Sequence, residues 1–319
     1  MANFNSPVKV FIKSKNSTSK IINNYNISLI IFSILAILIN LLMKNTNITI
    51  SYIKSLIISL FITSIISYII NIIKKEYNII KLYKEDSIIS IAIIISLFTI
   101  NINIYIHIIS IIVTLIIKEI YKKINISSAL YGILVIVVYK CLTNNIEIPL
   151  LIDSTTNIVE YLFNFKYLCP LLSIIAFIYL FYNKSIKYSL VFSYILTITS
   201  ITAIYGLLNN TGLYYSLSIL LNSGILFLTV YTLTDYKITP TISEGNVVYG
   251  IIAGILTAIL FQIIPSLAII IVFILAPSLT KSIDKFSPKL KYNNKLYIGI
   301  IISLIALIIL IPIVLTIIF

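Results

Sequence analysis

Residues 224–254 read GILFLTVYTLTDYKITPTISEGNVVYGIIAG, and their layout decides the fold. One apolar run closes near residue 233, a short polar stretch follows, and a second run opens near residue 247. The runs extend over 213–233 and 247–263, long enough for helices crossing a hydrocarbon layer about 30 Å thick. Between them Thr239-Pro240 turns the chain out of helix, because proline disfavours helical geometry in the residue before it. Thr241 followed by Glu244 fits a capping box at the start of the second helix. Gly250 and Gly254 form a GxxxG face that lets another helix approach closely. None of this requires Asp235. A carboxylate at the C-terminal end of a helix meets the negative end of its dipole, so it needs a partner. Lys237, a neighbouring helix N-terminus or a group from another chain could serve.

The same alternation runs through all 319 residues, of which 60% are hydrophobic and only 10% charged. That places most of the chain in lipid. Apolar runs fall near 27–43, 52–73, 86–101, 103–119, 127–143, 167–182, 187–206, 213–233, 247–263, 265–279 and 296–318. The third and fourth are parted only around Asn101 and Asn103, predicting a tight hairpin, and the tenth is short enough to be re-entrant. The expected fold is an all-α polytopic membrane protein of ten to eleven transmembrane helices.

The net charge of +13 does not point to nucleic acid, because the lysines sit in short gaps between spans rather than on one soluble face. Alternating the gaps across the bilayer puts 19 lysines on one side and only Lys44, Lys54, Lys140 and Lys166 on the other. By the positive-inside rule the N-terminus is cytoplasmic and the C-terminus outside, in a multi-pass plasma-membrane protein. The turn at 234–246 then faces the cytoplasm, while residues 144–166, with Asp153, Thr155 and Thr156, face outward.

Other chemistries leave no trace. There is no Gly-rich phosphate loop, HExxH, GxSxG or intramembrane acidic pair, so no catalytic residue is assigned. One histidine and two cysteines are too few for an all-cysteine iron–sulfur cluster or a bis-histidine haem, and no metal-ligating set is assigned. Cys141 and Cys169 read as reduced thiols in apolar surroundings, and His107 as hydrogen-bonded packing within a span.

Thr234, Asp235, Thr239, Pro240, Gly245, Tyr249 and Gly250 resemble, in spacing, the signature of the RnfD/NqrB family. Its members are membrane subunits of the Rnf electron-transport complex and of the related sodium-translocating NADH:quinone reductase. In FILAPSLTKSIDKF (273–286), Leu279, Thr280, Ile283 and Asp284 keep the pattern, with Lys281 where proline is usual. In IIKEIYKKINISSALYG (116–132), Lys118, Asn125, Ala129 and Gly132 fit, while Lys122-Lys123 replace Gly-Gly and Ser127-Ser128 replace Asn-Pro. Ser6-Pro7 fits the family's opening. The resemblance implies a ten-helix core of two five-helix halves. It divides the chain into a cytoplasmic segment 1–26, a membrane domain 27–286, and a basic loop with an extra C-terminal helix at 287–319.

The resemblance further implies partner subunits carrying iron–sulfur clusters and flavins, and electron transfer between ferredoxin and NAD coupled to Na⁺ or H⁺ movement. It implies FMN bound covalently by a separate flavin transferase to a threonine in the outward loop. In IDSTTNI (152–158) the acceptor would be Thr156, with Thr155 next. Asp153 stands where the family has Ser or Thr three residues before the acceptor. Asp235 with Thr239, Pro240 and Gly245 would form a coupling or contact element. A flavin-free assembly scaffold and a small-solute transporter are the other readings of such a bundle.

Overall fold

The computed structural model describes residues 18–73, 87–121, 124–143, 169–209, 214–222, 224–265 and 267–286, and every regular element among them is helical. The first set comprises α1 (Thr18–Leu42), α2 (Thr46–Ile73), α3 (Ile88–Phe98), α4 (Ile104–Ile120) and α5 (Ala129–Leu142), the last entered through a 3₁₀ turn at Ile126–Ser128. The second comprises α6 (Pro170–Tyr182), α7 (Tyr188–Leu208), α8 (Tyr214–Asn222), α9 (Ile225–Leu228, continuing as a π-helix over Thr229–Leu233), α10 (Ser243–Ile263) and α11 (Ala268–Phe286). Four of these, α1, α2, α7 and α10, are long and apolar enough to cross a membrane. The shorter apolar helices complete an all-α membrane bundle.

The side chains face the way lipid demands. On α2 the buried residues are Thr49, Tyr52, Ser55, Ser59, Thr63 and Ser67, while Ile57, Phe61, Ile65 and Ile73 are exposed. A water-soluble helix would do the reverse. In a bilayer the hydroxyls turn inward, where they bond carbonyls one turn back, as Thr63 does to Ser59 O at 2.7 Å. α3 is buried along nearly its whole length and forms the centre of the first set.

Within the first set α2 packs on α3 and α4, and α4 on α5; within the second, α7 packs on α8 and α10, and α10 on α11. The two sets meet where α1 touches α6 and α5 touches α11, first helix with first and last with last. Among the described residues, with α8 and α9 counted as one broken helix, each set holds five helices.

The GxxxG face makes the expected close contact. A Cβ on Gly250 would run into the Ser193 hydroxyl and lie 2.7 Å from Leu190 O, and one on Gly254 would collide with the Thr197 side chain. Gly132 has the same role on α5, where a Cβ would meet Thr114 and lie 2.7 Å from Ser110 O. The α3–α4 hairpin is also as tight as expected. Asn101 takes a left-handed turn at φ 60°, and the Asn103 side chain accepts the Tyr105 N–H at 3.2 Å.

Three details differ from expectation. The eighth span is broken at Gly224, whose φ of 66° suits a residue without Cβ and redirects the chain into α9. The tenth is one helix that continues through Pro277 to Phe286. The capping box does not form, because α10 begins at Ser243 with Ile242 at the cap. That leaves the Thr241 N–H outside the helix, where it donates to Asp284 Oδ1 of α11 at 3.1 Å. The expected eleventh span and the segments 1–17 and 287–319 lie outside the described residues.

Candidate functional site

Asp235 leaves the π-helical end of α9 fully buried. Its Oδ2 accepts three hydrogen bonds from the turn that opens α5: from the Asn125 N–H at 3.1 Å, the Ser127 N–H at 3.0 Å and the Ser127 hydroxyl at 2.9 Å. Its Oδ1 accepts the Lys237 N–H at 3.2 Å. Of the partners allowed by the sequence, the neighbouring helix N-terminus donates three hydrogen bonds to the carboxylate, and the Lys237 backbone N–H donates one. The arrangement is sound electrostatically, since N–H groups at a helix start carry the positive end of the dipole. Each bond to a buried carboxylate contributes about 1.5–3 kcal/mol.

The partners are tied in turn. Asn125 Oδ1 accepts the Ser87 hydroxyl at 2.5 Å, and Ser90 donates to Asn26 Oδ1 of α1 at 2.5 Å. Tyr25 Oη and Thr234 Oγ1 are 2.7 Å apart, and Ser28 Oγ and Tyr231 Oη 2.8 Å apart. Asn24 Nδ2 reaches Ser185 Oγ, between α6 and α7, at 2.7 Å. Tyr25, Phe32, Phe227 and Tyr231 pack as an aromatic group between α1 and α9. The π-helix, a geometry common at functional sites, carries this side of the junction.

A second knot holds the far side of the turn. Lys187, just before α7, donates through Nζ to the Pro240 carbonyl, and the next residue, Thr241, is held by Asp284. Burial lowers the Lys187 ammonium from 10.5 to about 8, with the Asp284 charge opposing the shift. The turn 234–242 is thus gripped by α7, α11 and the start of α5.

Among the described residues, several polar atoms in this region are buried with no hydrogen-bond partner: Thr229 Oγ1, Thr239 Oγ1, Asn246 Oδ1, Tyr249 Oη and Asn125 Nδ2. No group of three or more His, Cys, Asp or Glu side chains gathers there. His107 is held by Ser59, with Nε2 to Oγ at 2.6 Å, and neither Cys141 nor Cys169 is in a disulfide. The Asp235 cradle is a junction between the two sets of helices.

Of the residues expected to matter, the structure places Asp235, Thr239, Pro240 and Gly245 together in the turn and the first turn of α10. Thr155, Thr156 and Asp153 lie outside the described residues. Ser127 departs from the family pattern, yet its hydroxyl and N–H hold the carboxylate. Lys187 and Asp284 join the site without any signal of their pairing in the sequence. Asn24, Tyr25 and Asn26 had a visible one, as three consecutive polar side chains leading into an apolar run.

The helices define an all-α membrane protein whose described halves meet at a buried carboxylate. Residues 163–292 match the model of the NQR2, RnfD, RnfE family, consistent with an RnfD/NqrB-type chain. The match covers the signature turn, α10 and α11, and supports a membrane subunit of Rnf/Nqr-type complexes. No curated protein matches the chain.

Proposed function

We propose that this chain is the D-type membrane component of an Rnf-like complex, in which electron transfer between ferredoxin and NAD drives Na⁺ or H⁺ movement. The observation that carries this reading is the Asp235 junction. It lies inside the family-matched stretch, and it ties that stretch to the first half of the bundle. A carboxylate that joins two halves is placed to couple a change in one to a change in the other. Partner subunits would supply the iron–sulfur clusters and the remaining flavins. The turn faces the cytoplasm in this reading, and the 144–166 loop faces outward with FMN on Thr156. The flavin supplies the electron chemistry, and the chain supplies its attachment and position.

Three experiments test this. Co-expression with the flavin transferase, followed by a denaturing gel, should give a fluorescent band that Thr156→Ala abolishes. A dark wild-type band removes the flavin part of the proposal. It would favour a flavin-free scaffold, the second reading, which Asp153 already supports by standing where the family has a hydroxyl. Asp235→Asn should reduce activity of the assembled complex more than it reduces membrane insertion, and unchanged activity would remove the coupling role. Failure of the chain to co-purify with other Rnf-type subunits would favour a solute transporter.

A further inference from the structure

α6 and α7 carry a wall of aromatic rings on the outer side of the bundle. Phe177 and Phe181 stack on α6 with centroids 6.1 Å apart. Phe192 of α7 meets Phe177 edge-on at 5.6 Å, and Tyr188 meets Phe181 edge-on at 5.5 Å. Phe181, Tyr188 and Phe192 are exposed, whereas the exposed side of the bundle elsewhere is mostly isoleucine and leucine. Phe181 and Tyr188 lie beside the loop that joins the two helices, and Phe177 and Phe192 lie about one turn further into the hydrocarbon layer. The loop itself exposes Tyr182 and Lys184, the lysine in a left-handed turn at φ 52°.

The rim above the wall is basic. Lys187 reaches Pro240 and Asp284 holds Thr241, so the start of α7 and the last turn of α11 flank the same two residues. α11 adds Lys281 and Lys285, both exposed. Lys184, Lys187, Lys281 and Lys285 outnumber the two acids of this corner, and both acids are engaged, Asp284 by Thr241 and Glu244 by the Ser243 hydroxyl. Surplus positive charge beside a ring surface matches a molecule that is anionic at one end and apolar over the depth of the rings. A soluble acidic protein would not reach rings inside the hydrocarbon layer, and a neutral lipid would gain little from the lysines. We propose that the α6–α7 corner is a binding site for an anionic glycerophospholipid, with its phosphate at Lys184 and an acyl chain along Phe181, Phe177 and Phe192. The same loop presents Lys187 to the Pro240 turn and Ser185 to Asn24 of α1, so a lipid seated there braces the segment that grips the junction. The site stands on the chemistry of this corner and does not depend on the function proposed above.

The test is the thermal midpoint of the purified full-length chain in a neutral detergent as dioleoyl phosphatidylglycerol, dioleoyl phosphatidylcholine or glycerol phosphate is added. The expected result is a saturable upward shift that phosphatidylglycerol reaches at a lower mole fraction than phosphatidylcholine. Glycerol phosphate, which has the charge and no chains, should give none. Lys184→Gln should raise half-saturation by phosphatidylglycerol about fivefold, one lysine's share at a membrane surface, and Lys184→Arg should restore it. Phe181→Leu combined with Phe192→Leu should weaken the response to both lipids. Lys44→Gln is the control for overall charge, because Lys44 is also exposed in a left-handed turn but at the other end of the bundle, and it should change nothing. Equal responses to the two lipids, a full shift with glycerol phosphate, an unchanged response in Lys184→Gln, or the same loss in Lys44→Gln would each overturn the site. The absence of any lipid-dependent shift in the wild type would also overturn it, and would leave the ring wall to a helix of a partner chain.

Discussion

At the scale of single residues, the junction rests on hydrogen bonds to one carboxylate oxygen. Ser127→Ala removes one of three donors to Oδ2, and should lower stability by about 1.5–3 kcal/mol, the range for a bond to a charged group. A urea or thermal titration of the purified chain measures it. Ser128→Ala is the control, since that hydroxyl bonds only the Asn125 carbonyl three residues back. Lys187 makes a pH prediction. Its ammonium falls from 10.5 in the open chain to about 8 when folded, so between those values the unfolded chain holds the extra proton. Stability contributed by this group therefore rises with pH across that window and is flat below it. The slope should vanish in Lys187→Met; a slope that persists would assign it to another group.

At the scale of elements, the α7–α10 contact depends on missing side chains. Gly254→Val would drive two methyls into Thr197, and overpacking of this kind costs about 1–3 kcal/mol or more. Gly132→Val should do the same between α4 and α5, where Thr114 closes the space. Thermal midpoints that hardly move would mean that the helix pairs separate easily. The GxxxG spacing announced the contact on α10, because small residues one turn apart can only mean a close neighbour or a flexible stretch. It did not announce α7 as that neighbour. The break at Gly224 did leave a trace, because Asn222-Ser223-Gly224 interrupts the apolar run with three turn-prone residues. The overall apolarity of 213–233 hid it when the run was taken as a single span.

At the scale of the whole molecule, chain direction puts one set of loops at a single end. Asn24 meets Ser185, Asn125 meets Asp235, and Lys187 and Asp284 meet Pro240 and Thr241, so these segments share one end of the bundle. Lys44, after α1, falls at the other end. The lysine balance assigns the first end to the cytoplasm. In cells, with Cys141 and Cys169 replaced, an impermeant maleimide should label Lys44→Cys and leave Lys237→Cys unlabelled, both positions being exposed. The opposite pattern would invert the topology and move the Asp235 turn to the outer face.

The sequence by itself determined the helices, the alternation of their connections and the need of Asp235 for a partner. Those are local consequences: lipid requires each crossing run to be apolar and hydrogen-bonded within itself, so each span is written in its own residues. Only the tertiary structure decided which group meets Asp235. Asn125 and Ser127 lie 110 and 108 residues away along the chain, and no period or spacing links positions that far apart. The burial of four partnerless oxygens on the stretch around that carboxylate was equally out of reach. A threonine or tyrosine in an apolar run reads the same whether its hydroxyl bonds a carbonyl one turn back or is buried without a partner, and the difference arises only when the helices pack.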